Sequence, residues 1–172
     1  MSRVTVRRAT MADIPWLVGE LREFSAFFGT KRSLFPGDEA CAFKLLAWLT
    51  DVPDCEPLHH PFFVAEKAGR EVVLGGDVHD FAERVGFIAG LLSPHFLNGD
   101  VVTLTEVLWW VPPPHRQSRV GGLLFREFEA FGCAYADQIV FSLVEARTPV
   151  KRRTLERRGY HAHETSYLLE VA

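Results

Sequence analysis

Residues 103–132 read TLTEVLWWVPPPHRQSRVGGLLFREFEAFG, and their order decides the fold. An apolar stretch of strand composition runs into Pro112-Pro113-Pro114, then into the basic segment Arg116-Gln117-Ser118-Arg119, then into Gly121-Gly122. Val120, Leu123, Leu124, Phe128 and Phe131 then recur at helical spacing, and Gly132 is placed to close that helix. A strand feeding a basic, glycine-containing turn at a helix N-terminus can hold phosphate. Unpaired N–H groups converge there, and the helix dipole favours negative charge. The alternative reading is a tight turn that caps a helix, with solvated arginines.

Working outward, the spacing predicts a short strand at residues 4–6. A capping box follows at Thr10-Met11-Ala12-Asp13, and then a helix with Ile14, Leu17, Val18, Leu21, Phe24 and Phe28 on one face. A second helix is expected over residues 38–50, with Cys41, Leu45, Trp48 and Leu49 as its apolar stripe. Residues 62–66 and 85–92 read as strands, the second stopped by Ser93-Pro94, and Asn98-Gly99-Asp100 carries a hairpin-turn signal. Between them, residues 71–74 could extend a hairpin beside Gly75-Gly76-Asp77. The fourth strand spans residues 101–111 and the fifth 138–144. A basic helix at 148–158 ends at Gly159, and residues 160–171 supply one or two more strands. Strands and helices in this order predict a mixed α/β (α+β) chain with an antiparallel front half and a crossover after the fourth strand. No repeat or linker marks a second domain, so residues 1–172 are expected to form one.

Composition narrows the function. The formal net charge of −3 and pI near 6.2 argue against broad nucleic-acid binding by phosphate neutralisation. Three widely spaced cysteines without a CxxC suggest neither a disulfide framework nor a zinc ribbon. With no apolar leader and no span-length apolar run, the expected location is the cytoplasm, without membrane contact.

Three motifs in the same order resemble the GNAT family of acyl-CoA-dependent N-acetyltransferases. Arg116 and Gly121 match the ends of its Gln/Arg-x-x-Gly-x-Gly/Ala signature, with Arg119 where the middle glycine is usual. Val111-Pro112-Pro113-Pro114-His115-Arg116 is similar to the family's junction between the fourth strand and third helix, and Leu155-Glu156-Arg157-Arg158-Gly159-Tyr160 to its C-terminal motif. The Arg119 variant and Ser93-Pro94-His95-Phe96 resemble phage and prophage members, which would place the protein in a host cytoplasm. The resemblance covers nearly the whole chain. It implies a mostly antiparallel sheet of six or seven strands, splayed between the fourth and fifth, with about four helices. It implies acetyl-CoA as acyl donor and direct attack by an amine in a ternary complex. Pantetheine would pair near Trp109 and Val111, and pyrophosphate would meet amides of Gln117, Ser118, Arg119, Val120, Gly121 and Gly122, with Arg116 and Arg119 adding charge. The acceptor would be a small-molecule, protein or peptide amine. A homodimer through terminal strands is compatible with such folds.

Glu106 is the candidate general base. Strict alternation puts it on one strand face with Leu104, Leu108 and Trp110, where apolar neighbours would raise its pKa. The alternative is a sheet-edge or salt-bridged glutamate. The family often uses a tyrosine as general acid where Leu155 stands here, and an asparagine at Thr148, so the acid role is unassigned; Tyr160 and Tyr167 read as packing residues. His161 and His163 share a strand face with no third ligand in register, so no metal is expected. His59 and His60 read as solvated loop residues, and His95 as a loop residue near the acceptor pocket. Two other classes remain open: a catalytically silent CoA-binding or interaction module, and a nucleic-acid-directed acyltransferase guided by the basic run at 151–158.

Overall fold

Two long antiparallel strands form the spine: β5 (Glu83–His95) and β6 (Asn98–Trp110), 13 residues each. Around them a five-stranded sheet runs in the order β1-β2-β5-β6-β7, with β1 at Val4–Arg8, β2 at Phe62–Lys67 and β7 at Gln138–Val140. Every pairing is antiparallel except β6 with β7. The computed structural model describes residues 3–28, 39–50, 60–69, 71–74, 77–80, 82–142 and 152–162. Among these the main sheet has five strands rather than the expected six or seven. Residues 71–80 make their own two-stranded sheet of β3 (Glu71–Leu74) and β4 (Asp77–Asp80). Tyr160, His161 and Ala162 are not in a strand, and the rest of the expected C-terminal strands lies outside the described residues.

Each face of the sheet is covered by helix. Helices α1 (Ile14–Phe28) and α2 (Glu39–Thr50) bury Ile14, Leu17, Leu21, Phe24, Leu46 and Leu49 against Phe62, Val64, Phe87, Ala89, Leu108 and Trp110. Helix α3 (Val120–Tyr135) takes the other face, where Phe131 meets Phe63 and Phe128 lies over Gly90. It fits closely because glycines stand at the contacts. A Cβ at Gly90 would lie 2.6 Å from the Phe128 ring and 2.9 Å from the Thr105 carbonyl. Gly132 does not close α3, which continues to Tyr135; it lets the helix approach Ile139 and Leu104, as a Cβ there would sit 2.5 Å from Ile139. Trp48 is 53% exposed on α2 rather than part of the buried stripe; the side chains of Cys41 and Leu45 lie outside the description. Among the described residues no helix is long and apolar enough to cross a membrane.

The expected turn at Asn98-Gly99-Asp100 is displaced. Asn98 Oδ1 accepts the Asp100 amide at 3.2 Å, an Asx-type bend inside β6, and the reversal falls on Phe96-Leu97. Strand β5 therefore runs through Ser93-Pro94 to His95. Contacts divide the chain into two compact units, Met1–Ser142 and Leu143–Ala172. Of the second, α4 (Arg152–Arg157) ends as the sequence suggests. Gly159 at φ 91° lets its own amide reach Glu156 O and the Tyr160 amide reach Leu155 O, a Schellman closure.

A buried ion cluster ties β1 to the start of α1. Asp13 is fully buried and accepts from Arg7 (2.7 and 2.9 Å), Arg84 (2.6 Å) and the Thr10 amide (2.9 Å), the acid half of the expected capping box. Arg7 also pairs with Glu66. Burial alone would raise the Asp13 pKa, but the hydrogen bonds from Arg7, Thr10 and Arg84 together hold it well below the usual carboxylate range. A depressed carboxylate stabilises above its unfolded pKa and loses that contribution as pH falls. Stability should therefore drop as pH falls below about 4. Asp13→Asn should remove that acid-sensitive portion and cost about 2–4 kcal/mol at pH 7, read by urea melts at both pH values. Gly90→Ala should cost about 2–3 kcal/mol by overpacking, since Phe128 is fully buried and cannot yield.

Candidate functional site

Among the described residues strand β6 pairs with β7 over three residues: Thr103 with Gln138, Leu104 with Ile139 and Thr105 with Val140. Asp137 latches the start of this ladder. Its amide donates to Val102 O at 2.9 Å, and its carboxylate accepts the Val102 amide at 2.8 Å. Beyond Thr105 the two chains diverge among the described residues, and the edge of β6 from Glu106 to Trp110 has no ladder partner on that side. Glu106 stands at this fork.

Its orientation depends on a bulge. Ala89 pairs with Leu108 but Gly90 with Glu106, so Val107 is an extra residue on β6. Paired residues share a face. Leu104 and Glu106 therefore lie on the α3 side, joined by Trp109 through its pairing with Ile88, while Leu108 and Trp110 lie on the α1 side. The strict alternation expected from the sequence is broken at Val107. Glu106 is 9% exposed, and burial pushes its pKa up to about 7, opposed by a hydrogen bond from the Ser142 amide. It is thus a buried carboxylate with a pKa near neutrality, held by Ser142, which lies just past the last paired residue of β7, Val140.

At the far end of β6, Pro113–His115 forms a 3-10 turn and leads to α3. Gln117 takes a left-handed φ of 64°, unusual for a residue with a side chain. The Ser118 hydroxyl donates to His115 O and accepts the Val120 amide at 3.3 Å. Arg119 precedes the first helical residue with an α-helical backbone. The first backbone bond of α3 runs from the Leu123 amide to Arg119 O at 3.0 Å, which leaves the Gly121 and Gly122 amides without an acceptor among the described residues. A Cβ at Gly122 would meet nothing within 4 Å, and one at Gly121 only ordinary contacts with Val111 and Trp109 at 3.8 and 3.9 Å. Packing among the described residues requires neither glycine, and each weakens the helix by about 1 kcal/mol relative to alanine. This open, donor-rich, glycine-lined helix start fits a pyrophosphate.

The other expected site residues take distinct places. Arg119 is exposed at the loop. Val120 is buried against the Gly86 backbone, with its amide already bound to Ser118. Val111 and Trp109 are buried. Arg116 is half-buried: its Nε donates to Val111 O at 3.0 Å, and its guanidinium covers the rings of Phe27 (4.3 Å) and Trp110 (4.6 Å). It clasps α1 to the end of β6, a role motif matching did not disclose. Trp110 adds a second clasp, its indole N–H donating to Glu20 at 2.8 Å. The Nδ1 of His60 accepts the Leu92 amide at 3.3 Å and its ring packs on Trp48, so this histidine is docked rather than solvated. His95 stacks on Phe96 at the hairpin. Beside the proline turn a cleft of about 590 Å³ is lined by residues including Glu20, Glu23, Glu83, Arg84 and His115. His163 lies outside the described residues, as do Thr148, Lys151 and Tyr167.

No family model and no curated protein sequence matches the chain. Solved structures do. An acetyltransferase from Trypanosoma brucei aligns over 98% of this chain and 100% of its own, with TM-score 0.61 and 15% identity. A transcriptional regulator from Bacillus halodurans C-125 aligns over 98% and 100%, with TM-score 0.64 and 17% identity. An aminoglycoside acetyltransferase from an uncultured soil metagenomic sample, solved with sisomicin, aligns over 97% of each chain, with TM-score 0.55 and 14% identity. At these identities the likeness is one of fold. This chain shares, over nearly its whole length, the mixed α+β fold of solved acetyltransferases.

Proposed function

We propose that the protein is an acetyl-CoA-dependent N-acetyltransferase that joins acyl donor and amine in a ternary complex. The observation that carries this reading is the fork: among the described residues β6 leaves β7 after Thr105, with a buried carboxylate at the split and an open, donor-rich helix start at the far end of the same strand. Bound acetyl-CoA would supply an activated thioester. The amides of Gly121 and Gly122, with Gln117, Ser118 and Arg119 in the loop, would hold its pyrophosphate, and the open edge of β6 near Trp109 and Val111 would pair with its pantetheine arm. Arg116 would contribute by fixing the Val111 carbonyl and the loop rather than by reaching solvent. Glu106 would take the proton from the attacking ammonium, directly or through one water, and a backbone amide of β6 would polarise the carbonyl. Catalysis rests on positioning as much as on proton transfer. The acceptor would be a small-molecule, protein or peptide amine that reaches the thioester at the fork beside Glu106. Both units would serve this one function as a single acyltransferase domain.

Two experiments test the reading. Calorimetry should show acetyl-CoA binding to the wild type and its loss in Gly122→Glu. This variant places a negative charge at the phosphate seat, and a Cβ there meets no described atom within 4 Å, so its melting temperature should not fall. A wild type that binds no acetyl-CoA would sink the proposal. Glu106→Gln should slow acetylation across an amine panel by at least about 100-fold. The wild-type rate should rise with pH through about 7, as Glu106 ionises. Stability gives an independent readout. A folded pKa near 7 against 4.5 means the native state holds the extra proton between those values, so this group's contribution falls as pH rises through that window. Glu106→Gln should abolish that decline and melt above the wild type at pH 8.

A further inference from the structure

Trp109 carries a buried hydrogen-bond donor with nothing to bond. It is 6% exposed, and its indole N–H has no partner among the described residues. Buried tryptophans usually find an acceptor, as neighbouring Trp110 does on Glu20. The Trp109 ring lies nearly parallel to Phe125 at 5.7 Å and tilted to Phe141 at 5.9 Å, so neither neighbour offers an oxygen. Its Cζ2, one ring carbon removed from the carbon bearing Nε1, lies 3.9 Å from the Cβ position of Gly121. The donor edge is therefore beneath the first turn of α3, between the carboxylate at the fork and the amides at the helix start.

We propose that the Trp109 indole N–H donates to an amide carbonyl oxygen on the pantetheine arm of the acyl donor. The inference rests on the acyl-CoA reading above and adds a side-chain contact to it. A neutral carbonyl is favoured over a phosphate oxygen because Phe125, Phe141 and Val111 make the surroundings apolar, where an unpaired charge is strongly disfavoured. The contact would select donors by their arm rather than by their nucleotide. Phe141, half-buried just beyond the last paired residue of β7, is the ring that would shift to admit the carbonyl.

The test is a titration of ¹⁵N-labelled protein followed through its indole resonances, one for each of four tryptophans, with Trp109→Phe assigning the signal by its loss. Acetyl-CoA should move the Trp109 N–H resonance downfield, whereas ADP, which has the pyrophosphate but no arm, should leave it in place. Trp109→Phe keeps an aromatic ring and should weaken acetyl-CoA binding roughly tenfold, with ADP binding unchanged. The resonance measurement uses the wild type and stands even where the variant folds poorly. Acetyl-CoA binding with an unmoved Trp109 signal overturns this proposal alone, as does a shift that ADP reproduces. A wild type that binds no acetyl-CoA overturns the function reading, and this contact with it.

Discussion

The length of the parallel ladder between β6 and β7 is the constraint on which the rest depends. Among the described residues three pair, and β6 continues for five more. A buried strand edge with unmatched polar groups is costly unless something else satisfies it. Asp137 fixes where the ladder begins by engaging both backbone groups of Val102, and α3 fixes the path by which β7 arrives. The glycines at 90 and 132 let that helix lie close enough to deliver β7 beside β6. The fork, the buried carboxylate at it and the open helix start follow from one crossover whose geometry is set by small residues.

Support for the fork comes from both faces of the sheet. On one side Arg116 and Trp110 fasten the end of β6 to α1 through Phe27 and Glu20. On the other, Trp109 packs against Phe125 of α3 and against Phe141. The opposite edge of the sheet is held by the Asp13 cluster, where two arginines and a capping amide compensate one fully buried carboxylate. The chain thus carries two buried acids with opposite electrostatic fates. Asp13 is paired and stays ionised, whereas Glu106 has no cationic partner among the described residues and its pKa is pushed up to about 7. That contrast separates a carboxylate compensated by cations from one whose charge burial disfavours.

Much of this was legible in the sequence because it is written in local chemistry. The strand–proline–glycine–helix order of residues 103–132, the acid of the capping box and the Gly159 closure each need only a few neighbouring residues, and each appears. What was not legible depends on distant partners. Gly132 reads as a helix stop until Ile139 and Leu104 are seen against it. The packing of Arg116 on Phe27 and Trp110 is invisible in its motif, because Phe27 belongs to a helix about ninety residues away. Asn98-Gly99 has strong turn chemistry, but the register of β5 and β6 consumes it as a bend within a strand and moves the reversal to Phe96 and Leu97, which are 88% and 77% exposed. Strand alternation likewise assigned Glu106 a face shared with Leu108 and Trp110, and one inserted residue reassigned it.

That insertion gives β6 a change of parity. Before Val107, even-numbered positions look toward α3; after it, odd-numbered positions do. The strand therefore addresses both helical layers with consecutive large side chains, Leu108 to one and Trp109 to the other, while the acid at 106 keeps company with the second. Sequence change on the two sides of the bulge is consequently decoupled. Substitutions before it remodel the floor beneath the fork, and those after it retune the clasp to α1. A single deletion at 107 would remove the bulge, leave the other residues of the strand on the faces they now occupy, and straighten the local bend.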